Sequence, residues 1–296
     1  MGGSHREHQL DVASSKDVRS MLRLIEEAGW AYTRSEIERL IAVQPSGMVL
    51  LRSTGLRQSL LGCVYASVWG QVGFIGLMLV RRTQRGRGLG RELMTAAMVE
   101  LEGAGVGCVL LDAVAEAIGF YADLGFRSSW QSLRYGIDTS RADLDGTEMS
   151  TARASAAQVE EAIEMDRAHS GMDRAVLLRR LHRDEDSTVL VVPGRDGLLA
   201  YGVLRRSKGC MRLGPVVARP GVEEGVAVRS LMATATAESY PRMLTVNVPS
   251  YNKEAVEMIL GLEATEYAPC TRMVTGDPGP AASPEGVWAL GAAEKG

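Results

Sequence analysis

The sequence predicts a mixed α/β fold that is used twice. Three observations carry this. A helix pair, a strand meander and then strand-helix-strand-helix-strand follow one another in the first half, an order that wraps helices around a sheet. A basic, glycine-rich turn, V-R-R-T-Q-R-G-R-G-L-G-R-E at Val80 to Glu92, joins an apolar run to a helical pattern. Finally, an ungapped shift of 138 residues lays the second half on the first. It puts Leu60-Leu61 on Leu198-Leu199, Ile75-Gly76 on Leu213-Gly214, Val80 on Ala218 and Leu93-Met94 on Leu231-Met232, the mark of an internal duplication.

Gln9 to Ala13 reads as a short strand. Ser15 is placed to cap a first helix, with Asp17 in its first turn and Val18, Met21, Leu22 and Ile25 as its apolar stripe, ended by Gly29. Ser35 is placed to cap a second helix through Leu40, stopped near Pro45 and Gly47. Strands follow at Met48 to Arg52, Leu60 to Trp69 and Val72 to Val80. After the basic turn come a helix to about Glu102, a buried strand at Cys108 to Ala113, a helix through Leu124 and a closing strand pair from Arg127 to about Ile137.

A polar stretch from Asp138 to Thr151, with Asp143, Asp145 and Gly146, suits a linker, taken as residues 141–150. It divides the chain into domains of residues 1–140 and 151–296. The second domain restarts with helices at Ala156 to Ala168 and Asp173 to His182, then strands at Thr188 to Val192, Leu198 to Arg205 and Cys210 to Ala218. Val287 to Leu290 returns as a final strand after a Pro/Gly-rich stretch from Gly276 to Gly286.

The chain's 296 residues, 46% apolar and 23% charged, suffice for two domains. A net charge of −3 gives no reason to expect a nucleic-acid partner. No apolar run approaches the roughly 20 residues of a membrane span, and the N-terminus M-G-G-S-H-R-E-H lacks a signal-peptide core, so a cytoplasmic location and no membrane partner are expected. Cys63, Cys108, Cys210 and Cys270 form no C-x-x-C, and the four histidines sit near none of them; neither disulfides nor a metal site are expected.

Strand, basic turn and helix N-terminus make an anion site. Glycines let the backbone approach a ligand, and the first helical amides lack intrahelical partners. Spacing separates the phosphate loops: a dinucleotide fingerprint fails because position 91 is Arg, and a Walker loop fails because no Lys follows the glycines. What remains is Q/R-x-x-G-x-G/A, here Gln84-Arg85-Gly86-Arg87-Gly88-Leu89-Gly90. With Val80 before it, this resembles motif A of the GNAT superfamily of acyl-CoA-dependent N-acetyltransferases. Phe120-Tyr121-Ala122-Asp123-Leu124-Gly125-Phe126 resembles the family's motif B. Asp173-Arg174, Asn247-Val248-Pro249, Thr271-Arg272-Met273, Gly29-Trp30 and Leu111-Asp112-Ala113 fit a two-domain subgroup with a C-terminal GNAT-like domain.

The resemblance implies tandem α+β domains, each with a mixed, mostly antiparallel central sheet flanked by helices. It implies acetyl-CoA as co-substrate, with pyrophosphate on the amides of Arg85, Gly86, Arg87, Gly88, Leu89, Gly90 and Arg91, and pantetheine paired with the backbone near Leu79 and Val80. Tyr121 is the expected general acid, protonating the leaving thiolate, whose thiol has a pKa near 8.5. Asp112, at the end of the buried strand, is expected either to act in catalysis as a water-mediated base or acceptor-orienting group, or to cap the next helix. Trp30 and Tyr32, between the first two helices, are the substrate candidates. There are departures: Val114 stands where many members carry Asn, and the strand before the loop holds no acid, so the base is unassigned.

Under the 138-residue shift, Arg85-Gly86-Arg87 become Glu223-Glu224-Gly225, while Gly88 and Gly90 become Val226 and Val228. Carboxylates repel a pyrophosphate and Val denies backbone clearance, so the second half is expected to be a degenerate domain without a CoA loop. It would wall the acceptor cleft or mediate self-association as a homodimer. The expected activity is transfer of an acetyl group to a primary amine, of small-molecule or peptide origin, within a ternary complex. Alternatives are a CoA-responsive regulatory protein without turnover, or a transferase of a longer acyl group.

Overall fold

Short apolar strands and capped helices build one continuous sheet. A computed structural model of the protein describes residues 7–55, 58–142, 144, 149–277 and 284–292. The first half comprises β1 (His8–Val12), α1 (Val18–Glu27), α2 (Arg34–Val43), β2 (Met48–Ser53), β3 (Leu60–Trp69), β4 (Val72–Val80), α3 (Leu89–Gly103), β5 (Cys108–Ala113), α4 (Ile118–Ala122) and β6 (Arg127–Asp138). The second comprises β7 (Ala152–Arg153), α5 (Ala156–Ser170), α6 (Ala175–Arg183), β8 (Ser187–Gly194), β9 (Gly197–Ser207), β10 (Cys210–Ala218), α7 (Glu224–Ala237), β11 (Met243–Pro249), α8 (Lys253–Leu260), β12 (Thr265–Glu266), β13 (Cys270–Gly276) and β14 (Val287–Ala289). The 138-residue shift carries β4 onto β10 end to end. Within the polar stretch read as a linker, Asp143, Asp145 and Gly146 lie outside the described residues, as do residues 278–283 of the Pro/Gly-rich stretch.

Helix starts follow capping chemistry, one or two residues earlier than expected. Asp17 accepts the Ser14 N–H at 2.8 Å and a 3-10 turn at Ser15–Asp17 leads into α1. Thr33, not Ser35, caps α2: its N–H donates to the Glu36 carboxylate at 2.7 Å and its hydroxyl accepts from the Glu36 N–H at 3.2 Å. Glu36 is fixed there because Ser207 of the second half also donates to it, at 3.1 Å.

The strand order is β1-β2-β3-β4-β5-β13-β6-β11-β10-β9-β8-β7, with β12 paired to β6 and β14 to β10. Each half therefore places one strand inside the other. β6 lies antiparallel to β11 from Ser132↔Pro249 to Asp138↔Met243. β13 lies antiparallel to β5 from Ala113↔Thr271 to Cys108↔Gly276. The strand pair expected from Arg127 to Ile137 is a single 12-residue strand, and its neighbour towards β5 comes from the second half. The segment has no Gly, Pro, Asn or Asp before Gly136, so it stays extended and pairs at long range.

Helices cover both faces. α3 buries Leu89, Leu93, Met94, Ala97 and Leu101 against the first-half sheet, with Tyr121 and Phe126 in the same cluster. Each such leucine contributes about 1.5–3 kcal/mol by leaving water. α1 and α2 bury Met21, Leu24, Ile25 and Ile37 on the opposite face. Trp69 and Phe74 of the first half join the core formed by α5 and α6, which ties the halves together.

One irregularity positions the site. β4 pairs parallel with β5 only from Val72↔Cys108 to Ile75↔Leu111. Leu77 then takes φ +47°, and the β3 register slips between Tyr65↔Gly76 and Cys63↔Leu79. This bulge turns the end of β4 away from β5 and opens a slot between them. β10 and β11 part in the same way after Leu213↔Val246.

Candidate active site

The basic turn folds as an anion cradle. After β4, a short 3-10 turn at Arg82–Gln84 leads to Gly86 at φ +76° and Gly88 at φ +79°, and Gly88 is the N-cap of α3. Positive φ explains both glycines. The first intrahelical bonds run from Arg91 and Glu92 to the Gly88 carbonyl at 3.0 and 3.2 Å, so the amides of Leu89 and Gly90 precede them. Gly90 has a different reason: a Cβ there would lie 3.1 Å from Met78 and 3.4 Å from Phe120. Arg85, Arg87 and Arg91 are exposed at the rim. Arg85 donates to the Val80 carbonyl at 3.1 Å, and Arg87 reaches Gln84 at 2.6 Å and Glu7 at 3.0 Å. Leu79 and Leu89 are buried side chains, so what they offer a ligand is backbone.

A cleft of about 830 Å³ runs from this loop along Leu79 and Val80 to Trp30 and Tyr121. On the other side of the slot lies a second cavity of about 400 Å³, whose polar lining includes Asp112, Arg134, Arg212, Thr245, Asn247 and Tyr267. Trp30, Met78, Val114, Ala117 and Tyr121 line both. The two spaces meet at those side chains. The unpaired edge of β4 could bond the backbone of an extended ligand, and the glycine amides could hold an anionic end.

Tyr121, on α4, is 8% exposed and packs edge-on against Phe120 and Phe126, with ring centroids 5.1 and 6.0 Å apart. Its hydroxyl has no protein hydrogen-bond partner among the described residues. Burial first, and then the charge of Cys270, pushes its pKa up to about 12, so the phenol keeps its proton. Asp112 does not cap the following helical turn, whose N-cap Val114 has no side-chain cap bond. Instead both its carboxylate oxygens accept from Arg272 of β13, at 2.6 and 3.3 Å. The Arg272 guanidinium is stacked between Phe74 and Trp130 at 5.0 and 4.5 Å. Trp30 and Tyr32 are half-buried; Trp30 faces both spaces, and Tyr32 faces the second, with the Arg212 guanidinium 6.0 Å from its ring.

Arg134, Arg212 and Tyr267 had no signal in the sequence. They lie on β6, β10 and the loop after β12, and only the strand exchange brings them beside Tyr121. Asn247, quoted above only as part of a subgroup pattern, faces Arg134 directly across the β6–β11 ladder.

The corresponding slot in the second half is filled by the chain itself. β14 pairs antiparallel with β10 at Val216↔Ala289 and Val217↔Val287, and Leu290 donates to the Asn247 carbonyl at 2.8 Å. At the α7 N-terminus, where the first half presents open amides, Glu224 accepts from the Trp288 indole at 2.6 Å and from the Gly221 N–H at 3.3 Å. A carboxylate and an indole occupy the place a phosphate would need.

Comparison with known proteins agrees with this architecture. The acetyltransferase (GNAT) family model matches residues 16–126, and an acetyltransferase (GNAT) domain model matches residues 162–289. The uncharacterised N-acetyltransferase YitH of Bacillus subtilis (strain 168) is 22% identical over 234 residues, 79% of each chain. The holothin acyltransferase of Pseudoalteromonas sp. (strain SANK 73390) is 28% identical over 180 residues, 60% of this chain and 58% of that protein. In fold, a Pyrococcus horikoshii protein assigned as an acetyltransferase superposes with a TM-score of 0.81 at 20% identity, covering 100% of this chain and 98% of the other. A tandem GNAT protein from the clavulanic acid biosynthesis pathway gives 0.65 at 16% identity, covering 93% and 100%. With two GNAT domains sharing one sheet, this protein is a tandem-domain acyltransferase of the GNAT superfamily.

Proposed function

We propose that the protein is an acetyl-CoA-dependent N-acetyltransferase that passes acetyl directly to a primary amine in a ternary complex. The meeting of two cavities at Tyr121 supports this reading above all: one fits an extended cofactor with an anionic end, the other a small polar acceptor. Backbone amides from Arg85 to Arg91 would hold the pyrophosphate, with the three arginines adding charge, and the β4 edge at Leu79 and Val80 would pair with the pantetheine. Acetyl-CoA supplies the activated acyl group. The neutral amine nitrogen attacks the thioester carbon and loses a proton to solvent, the carbon–sulfur bond breaks, and Tyr121 donates its proton to the departing thiolate and regains one from solvent. Burial that raises the Tyr121 phenol raises a thiolate formed beside it too, which keeps the transfer within reach. Asp112 serves by holding Arg272 rather than as the base, since both its oxygens are committed.

Residues 1–140 would carry catalysis and residues 151–296 would complete the acceptor wall, which accounts for the second domain without requiring a homodimer. Four free cysteines, three of them buried, fit a cytoplasmic setting, and no helix among the described residues is long and apolar enough to cross a membrane. Calorimetric titration with acetyl-CoA tests the reading: saturable binding is expected, and its absence in the intact protein would sink it.

A further inference from the structure

We infer that the acceptor is a small amine that also carries a carboxylate, bound by Arg134 and Arg212. This rests on the acetyl-transfer reading above and adds the substrate class. Three observations carry it. First, charge in the acceptor cavity is one-sided: Arg134 and Arg212 line it, and its one lining carboxylate, Asp112, is neutralised by the buried Arg272. Second, the Arg134 Nε is buried without a hydrogen-bond partner, and among the described residues no carboxylate stands within ion-pair distance of Arg134. A buried guanidinium donor left unsatisfied is costly, and an anion in the cavity would relieve it. Third, hydrogen-bonding side chains accompany the arginines. Asn247 faces Arg134 across one ladder, and Thr245 faces Arg212 across the next.

A planar carboxylate suits the guanidinium fork, and about 400 Å³ suits a molecule of amino-acid size. The same positive charge disfavours the ammonium form of the bound amine, so it helps deliver the neutral nucleophile that attack requires, where no dedicated base stands on β4.

The test is an acceptor panel built in pairs: phenylalanine with phenylalaninamide, 4-aminobutyrate with 4-aminobutyramide, and O-phosphoethanolamine with ethanolamine. Thiol release from acetyl-CoA is the readout, with calorimetric acetyl-CoA affinity measured separately. The wild type is expected to favour the carboxylate member by at least about 10-fold in kcat/KM, mainly through KM. Arg134→Gln should bring that ratio close to 1, Arg134→Lys should restore part of it, and both should bind acetyl-CoA within about 2-fold of wild type. Amides accepted as well as acids, an unchanged ratio in Arg134→Gln, preference for the phosphate pair alone, or acetyl-CoA binding with no turnover of any carboxylate would each overturn the inference. Failure to bind acetyl-CoA would instead overturn the reading beneath it.

Discussion

Arg272 and Asp112 form a buried, two-pronged ion pair between strands from opposite halves of the chain, with side chains 4% and 1% exposed. The pair sits beside the cavity of about 400 Å³ and ties β13 to β5 where the sheet opens. Removing one partner strands the other charge in the interior. Arg272→Met should therefore cost about 3–5 kcal/mol, read by urea denaturation, while the double variant Arg272→Met, Asp112→Leu should recover much of that loss. A loss below about 1 kcal/mol in the single variant would show that the pair contributes little.

Gly88 holds φ +79° at the N-cap of α3, with open space where a Cβ would point. Gly88→Ala should strain the turn by about 1–2 kcal/mol and weaken acetyl-CoA binding. Gly88→Glu should abolish binding, because it adds a carboxylate where a pyrophosphate is expected, while circular dichroism shows an intact fold. Undiminished binding in Gly88→Glu would remove the loop from the cofactor site.

Tyr121→Phe should keep acetyl-CoA affinity and lower kcat by about 10²–10⁴-fold. Equal turnover would remove the general-acid role.

The raised pKa of Tyr121 also predicts a pH effect on stability. The folded phenol titrates at about 12 against 10.0 in the unfolded chain, so its contribution is complete below pH 10 and lost as pH rises towards 12. Cys63, pushed by burial from 9.0 to about 12, acts in the same direction from about pH 9 upward. Denaturation midpoints should fall across that window, and Tyr121→Phe should flatten the fall. A slope unchanged in the variant would assign the effect elsewhere.

Trp288 and Glu224 close the second slot, so calorimetry should find one acetyl-CoA per chain. Trp288 is 3% exposed, and Trp288→Ala should cost about 3–5 kcal/mol without changing that stoichiometry or the affinity. Two sites per chain in the wild type would contradict the closed slot.

The elements themselves were largely legible in the sequence because their causes are local. Apolar periodicity marked the strands and helices, glycines marked the turn, and the 138-residue shift marked the duplication because β4 and β10 keep the same length and spacing. The caps were misplaced by a residue or two, since Thr33 gains its role through Glu36, which Ser207 holds from far along the chain. The Leu77 bulge was invisible, because nothing about a leucine announces φ +47°.

By itself, then, the sequence determined the repeated α/β elements, the glycine-rich turn at Arg85 to Gly90 and the replacement of Gly86, Gly88 and Gly90 by Glu224, Val226 and Val228 at the matching places of the second half. Tertiary structure decided which strands pair and therefore which side chains line the cavities. By exchanging β6 and β13 it paired Asp112 with Arg272, and it brought Arg134 and Arg212 into one cavity with Tyr121. A net charge averages over the whole chain, whereas a cavity feels only the few side chains that long-range pairing points into it.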